Sequence, residues 1–185
     1  MNAAARAIAI VLMLTAGPLG TTAAVFATPA APLLVDQRGH GFTLSSLIGK
    51  PLAITFVSAH CTDACPLIDA QFAAAAQRLA RARADARLLT VTLDPAHDPP
   101  RLMRALAQRF DADPRYWLVA GGTPHDVAEV LQRFGVLTQT GKNGYREAHT
   151  TFVYIVDERG QLRRTMLAST DLASDVVEAL EAVVR

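Results

Sequence analysis

The 185-residue chain is narrowed first by what it holds little of. Cysteine is scarce: Cys61 and Cys65 are the two in the chain, too few for the disulfide framework of a secreted miniprotein. Charge of one sign is also missing. Eighteen basic residues stand against seventeen acidic, a net +1, without the basic excess needed to track a phosphate backbone, so nucleic acid is not an expected partner. Apolar runs are short, and none reaches the roughly 20 residues of a membrane-spanning helix. What remains, 51% apolar and 19% charged residues, is the composition of one globular domain with an ordinary core.

The N-terminus carries a lone charge, Arg6, followed by the apolar run Ala7 to Ala16, and Gly17-Pro18 breaks that run. This is the layout of a secretory signal peptide, with Val25-Phe26-Ala27 supplying a small-residue exit and cleavage after Ala27. An uncleaved anchor through residues 7–27 is the competing reading. No cysteine sits nearby, so a lipid anchor in this segment is not expected. The expected organisation is 1–27 as signal peptide or anchor, 28–34 as a linker holding Pro29 and Pro32, and 35–185 as the folded domain. Arg6 is the one charged residue of the first 27, so the mature domain is neutral before histidine is counted. Export places it in an extracytoplasmic, periplasmic and oxidising compartment.

Along the mature chain, strand and helix patterns alternate. Val35 to Leu44 is turn-centred and suits a short hairpin. Leu52 to Val57 is an apolar run fit for a strand buried on both faces. Ile68, Phe72, Ala75 and Leu79 form the stripe of a helix running to about Ala84. Leu88 to Leu93 reads as a second strand, and Asp98 with Pro99 at the first helical position starts a helix carrying Leu102, Leu106 and Phe110. Tyr116 to Ala120 is a third strand, and Thr123-Pro124 opens a helix with Val127, Val130, Leu131 and Phe134 on one face. Gly135 to Ala148 reads as a polar loop. Thr151 to Val156 and Gln161 to Leu167 flank the turn Asp157-Glu158-Arg159-Gly160, and a last helix carries Leu172, Val176, Leu180 and Val183. The order predicts an α/β sandwich with a mostly parallel sheet edged by an antiparallel pair. Ligands of such sheets bind beyond the carboxyl ends of the strands, where the cysteines fall.

In Ser58-Ala59-His60-Cys61-Thr62-Asp63-Ala64-Cys65-Pro66, a tight loop entering a helix points both sulfurs the same way. Helix N-terminal amides favour the thiolate, raising nucleophilicity and soft-metal affinity. His149, directly ahead of the Thr151 strand, is the best-placed further donor if that strand pairs beside the first one. Two thiolates and an imidazole suit Cu(I), accept Cu(II) with an added ligand, and compete with a zinc site holding an open position. A structural disulfide is the bland reading, but bridging i to i+4 closes so short a loop that it staples little. His40, His97 and His125 read as surface or hydrogen-bonded residues. His60 either tunes Cys61 or faces solvent, Asp63 caps the helix or adjusts the site's charge, and Met103 and Met166 are core fillers.

The run Leu52 to Phe56, the Cys61-x-x-x-Cys65-Pro66 motif, Thr92-Leu93-Asp94-Pro95-Ala96-His97-Asp98-Pro99-Pro100 and His149-Thr150-Thr151-Phe152-Val153-Tyr154-Ile155-Val156-Asp157 together resemble the Sco/SenC family. The similarity spans roughly residues 33 to 184. It implies a thioredoxin-like sandwich, a central mixed sheet flanked by helices with an N-terminal hairpin. It further implies one copper ion, Cu(I) or Cu(II), bound per chain by Cys61, Cys65 and His149. It implies a role in assembling the copper A centre of cytochrome c oxidase, with subunit II or another thiol client as partner. The chain departs from the family's usual pattern at Val57-Ser58-Ala59 and at Ala148, where an aspartate is common and Glu147 stands one position back. The leading expectation is a non-enzymatic metallochaperone. The alternative is a thiol-disulfide oxidoreductase or thiol peroxidase using Cys61 and Cys65, although such enzymes usually have two residues between the cysteines and a cis-proline where His149 stands.

Overall fold

The computed structural model describes residues 31–60, 64–142, 144–148 and 152–184, with the side chains of Ala64, Cys65, Glu147 and Ala148 outside that description. The expected signal segment, Cys61 and His149 lie outside the described residues.

The expected hairpin forms as β1 (Leu34–Asp36) and β2 (Gly41–Phe42), antiparallel with Leu34 opposite Phe42. A 3-10 turn, Leu44–Leu47, leads to β3 (Leu52–Val57), buried along its whole length. Then follow α1 (Ala64–Ala82), β4 (Arg87–Thr92), α2 (Pro100–Arg109), β5 (Trp117–Gly122) and α3 (Pro124–Arg133). The chain closes with β6 (Thr138–Thr140), β7 (Arg146–Ala148), β8 (Phe152–Val156), β9 (Leu162–Leu167) and α4 (Leu172–Ala182).

Seven strands form one sheet in the order β2-β1-β5-β4-β3-β8-β9. Its parallel part is confined to β5, β4 and β3, and the pairings on both sides are antiparallel, so it is less parallel than the sequence predicts. The mixed sheet follows from the connections. A helix can return the chain to a parallel neighbour, whereas the short turns after β1 and β8 permit only antiparallel pairing. The fold is the expected α/β sandwich.

The apolar patterns explain the layers. Alternate residues of β3 face opposite ways, Ala53 toward α1, α2 and α4 and Leu52, Ile54 and Phe56 toward α3. The predicted stripe of α1, Ile68, Phe72, Ala75 and Leu79, is at most 1% exposed, and Phe72 packs against Trp117 of β5 with ring centroids 6.0 Å apart. The Thr123 hydroxyl accepts the Asp126 N–H at 3.1 Å and caps α3, as the Thr-Pro pair predicts.

Four local expectations are corrected. Leu34, placed in the linker, is a core residue of β1. The helix expected from Pro99 begins at Pro100, with Pro99 extended at the cap; either proline suits the first helical position, and Asp98 uses its carboxylate elsewhere. That helix buries Met103 and Ala107 more fully than Leu102, Leu106 or Phe110. The segment expected as a loop contains the antiparallel ribbon β6–β7, paired from Thr138 opposite Ala148 to Thr140 opposite Arg146. Among the described residues no helix is long and apolar enough to cross a membrane.

Candidate metal centre

The carboxyl ends of β3 and β4 and the start of β8 meet at one edge of the sheet. Parallel pairing places Val57 opposite Thr92, and antiparallel pairing sets Thr55 opposite Val153. β3 therefore delivers the chain toward Cys61 where β8 receives the chain three residues after His149. The expected pairing of these two strands is present. Cys65 occupies the second position of the 19-residue helix α1, in the first turn, where unpaired amides and the helix dipole favour a thiolate.

Around this edge a polar network joins three loops. Thr92 donates its hydroxyl proton to Asp98 Oδ2 at 2.6 Å and accepts the Asp94 N–H at 2.9 Å. Asp98 Oδ2 also accepts the Ala59 N–H at 3.1 Å, pinning the β4–α2 loop to the turn leading into Cys61. Asp98 Oδ1 is buried without a hydrogen bond and lies 3.7 Å from His60 Nε2. Burial pushes the Asp98 carboxyl up, against the lowering effects of the Thr92 and Ala59 hydrogen bonds and of His60. His60 Nε2 is 3.2 Å from the His97 carbonyl. A carbonyl only accepts, so the ring nitrogen donates.

Asp94 ties in the third loop. Its Oδ2 accepts from His97 Nδ1 and from the Arg146 N–H, each at 2.8 Å. Next to Arg146, the Tyr145 ring lies flat on His60, centroids 4.1 Å apart and planes 9° apart, and meets His97 edge-on at 5.0 Å. His97, expected as a surface or hydrogen-bonded residue, is indeed hydrogen-bonded, and it also belongs to this cluster. His60 adjoins Cys61 and packs against Tyr145 instead of simply facing solvent. Residue spacing did not single out Tyr145 or the Thr92–Asp98 bond. The available signal was the polar run Asp94-Pro95-Ala96-His97-Asp98 directly after a strand's carboxyl end.

One more carboxyl stands near the start of α1. Asp69, one helical turn beyond Cys65, is 1% exposed, and its Oδ1 has no hydrogen-bond partner. Burial pushes it up to about 7 against the opposing pull of Arg109. Among the described residues no group of three or more His, Cys, Asp and Glu side chains is arranged to hold a metal ion. Two cysteines at the start of a helix and a histidine shortly before the strand adjacent to β3 in the sheet are, in the sequence, donors of soft and borderline type, which fit copper.

The chain is similar to known proteins along its folded domain. The SCO1/SenC family model matches residues 28–185. "Protein sco1" of Schizosaccharomyces pombe is 28% identical over 137 residues, covering 69% of this chain and 50% of the relative, so the chain spans about half the length of that protein. Bradyrhizobium japonicum ScoI, solved with copper bound, superposes with a TM-score of 0.71 at 23% identity, covering 83% of this chain and 98% of the other. BsSco, described with a disulfide switch and as a member of the Sco family of cytochrome c oxidase assembly proteins, superposes with a TM-score of 0.71 at 18% identity, covering 83% and 91%. The match along almost the whole folded domain means that the chain belongs to the SCO1/SenC family.

Proposed function

We propose that this protein is an exported copper metallochaperone. It binds one copper ion through Cys61, Cys65 and His149 and assists assembly of the copper A centre of cytochrome c oxidase, with subunit II as the client. The antiparallel pairing of β3 with β8 carries this reading, because it brings the chain entering Cys61 and the chain leaving His149 to one edge of the sheet. Copper bound in Bradyrhizobium japonicum ScoI and the assembly role stated for BsSco support the same reading. Two thiolates and an imidazole bind Cu(I) firmly while leaving an approach open to an incoming client thiolate, so copper is passed by ligand exchange. The N-terminal charge and apolar run support an extracytoplasmic location, with the domain either released by cleavage after Ala27 or tethered through residues 7–27.

Anaerobic titration of the reduced domain with Cu(I) tests the site. One equivalent binds, and Cys61→Ser, Cys65→Ser and His149→Ala each weaken binding strongly. Wild-type affinity in His149→Ala overturns the three-ligand reading. A second reading, reduction of client cysteines by the Cys61/Cys65 dithiol, is supported by the disulfide switch of BsSco. In it a client disulfide takes two electrons and two protons from the dithiol, which closes to a disulfide. It predicts disulfide exchange that survives His149→Ala, and no turnover above a free dithiol removes it.

A further inference from the structure

We propose that Tyr145 is a positioning residue for His149: its ring, held between His60 and His97, ties the arm leading into His149 to the turn leading into Cys61. The inference rests on the two-cysteine, one-histidine reading of the site and names what holds its two halves together.

The ribbon β6–β7 is two strands of three residues and forms a sheet separate from the main one. Such a ribbon is not stable by itself and takes its position from what it is attached to. Attachments to the loops of the site converge on two adjacent residues. The Tyr145 ring stacks on His60 at 4.1 Å and meets the His97 edge at 5.0 Å, and the Arg146 N–H binds Asp94 Oδ2 at 2.8 Å. His60 is the residue before Cys61, and β7 runs from Arg146 directly to Ala148, the residue before His149. At the other end the chain is fixed by β8, whose Val153 pairs with Thr55 of β3. The described residues on either side of His149 are thus fixed differently, Val153 by a ladder that belongs to the fold and Tyr145 by a ring stack that belongs to the site.

The stack is directional in a way that a general apolar contact is not. A planar ring lying 9° from the imidazole plane fixes both separation and tilt between the two chain segments. His60 in turn is held by the His97 carbonyl, and His97 by Asp94, so Tyr145 meets a surface whose own orientation is set. Removing the ring takes away the ribbon's contact with the turn before Cys61 and leaves the Arg146–Asp94 bond to the β4–α2 loop, so the loss falls on the imidazole arm while the cysteine turn stays pinned by Asp98 to Ala59.

A double-mutant cycle tests this. Copper affinity is measured by chelator competition, together with the nitrogen hyperfine signal of the Cu(II)-loaded protein, in the parent, Tyr145→Leu, His149→Ala and the double variant; thermal unfolding checks the fold. Tyr145→Leu is expected to weaken copper binding about tenfold in the parent, as loss of an outer support typically does, and to diminish the nitrogen hyperfine signal. In the His149→Ala background the same change is expected to cost less than about twofold, because the arm no longer carries a ligand. Tyr145→Phe, which keeps the ring, restores parental binding. Equal losses in both backgrounds, no loss in the parent, or a Phe variant as weak as Leu overturns the inference while leaving the three ligands intact. If His149→Ala itself binds copper like the parent, the ligand reading falls and this inference with it. Should Leu at 145 prevent folding, His97→Asn removes the imidazole edge contact while keeping a side-chain N–H that can donate to Asp94 Oδ2, and carries the same cycle.

Discussion

The two ends of the sheet handle buried carboxylates in opposite ways. Away from the cysteine edge, the turns after β1 and β8 are built alike. In Asp36-Gln37-Arg38-Gly39-His40 and in Asp157-Glu158-Arg159-Gly160-Gln161 the aspartate Oδ1 accepts the N–H two and four residues on, at 2.8 and 3.0 Å for Asp36 and 2.9 Å twice for Asp157. A guanidinium takes each Oδ2, Arg38 at 2.7 Å and Arg163 at 2.6 Å. Gly39 and Gly160, at φ 88° and 76°, supply the left-handed step both turns require. Burial pushes both carboxyls up, but these bonds outweigh it and hold them below the usual range. At the cysteine end, Asp69 and Asp98 each keep a buried oxygen without a partner and are pushed up. One end bonds both oxygens of its carboxylates to hold its turns; the other also ties its loops through Asp94 and Asp98 but leaves Asp69 and Asp98 each with one buried oxygen unpartnered.

The sharpest way to break this contrast is Asp69→Asn. A carboxyl raised in the folded state contributes most below its unfolded value and loses that contribution as pH rises through the folded one. The parent should therefore lose stability between about pH 4 and about pH 7. The Asn variant should gain on the order of 3 kcal/mol at pH 8 and little near pH 4, read by urea unfolding. Equal gains at both pH values would remove the titration as the cause.

Next in size, Asp157→Ala should cost about 2–3 kcal/mol at neutral pH, since it removes two backbone hydrogen bonds and one to a guanidinium. Copper binding should be unchanged by it. Asp36→Ala should cost about as much, since it likewise removes two backbone hydrogen bonds and the contacts to the Arg38 guanidinium. For both, the parent's advantage is present above the ordinary carboxylate range and is lost as pH falls through the lowered folded values, the reverse of Asp69. Unfolding midpoints of parent and variant that stay equally far apart at pH 2 would contradict this. The smallest effect belongs to Lys50→Met, which breaks the exposed Lys50–Asp85 pair and should change stability by less than about 0.5 kcal/mol.

Much of the layout was legible because it is carried by local pattern. β3, the stripe of α1 and the Thr123-Pro124 start of α3 follow from periodicity and capping alone. The ribbon β6–β7 was not legible, since Thr138 to Thr140 and Arg146 to Ala148 have no apolar alternation and their anchor, Arg146 to Asp94, spans 52 residues. The start of α2 moved by one because two prolines stand side by side and Asp98 is taken by Thr92 and Ala59. Cys61, Cys65 and His149 stand out by residue type and spacing. Their supports do not, because a tyrosine in a polar loop declares its role only when His60 and His97 are seen on either side of it. The repeated aspartate turn was present in the residues, but two five-residue segments 121 positions apart gave no reason to compare them until both were seen bonded alike.

The sheet's outer strands have a consequence for how the protein behaves in a crowded compartment. β2 is two residues long, and where β1 stops, the Gln37 amide continues its ladder, donating to the Trp117 carbonyl at 2.9 Å and accepting the Val119 N–H at 3.0 Å. That side is closed to an added strand. The opposite border, β9, is six residues long and offers a template for one, but it carries Arg163 and Arg164 side by side. A foreign strand zipping along β9 would have to strip water from guanidinium groups. The protein is thus guarded against fibril-like growth at one border by a glutamine that imitates backbone and at the other by charge.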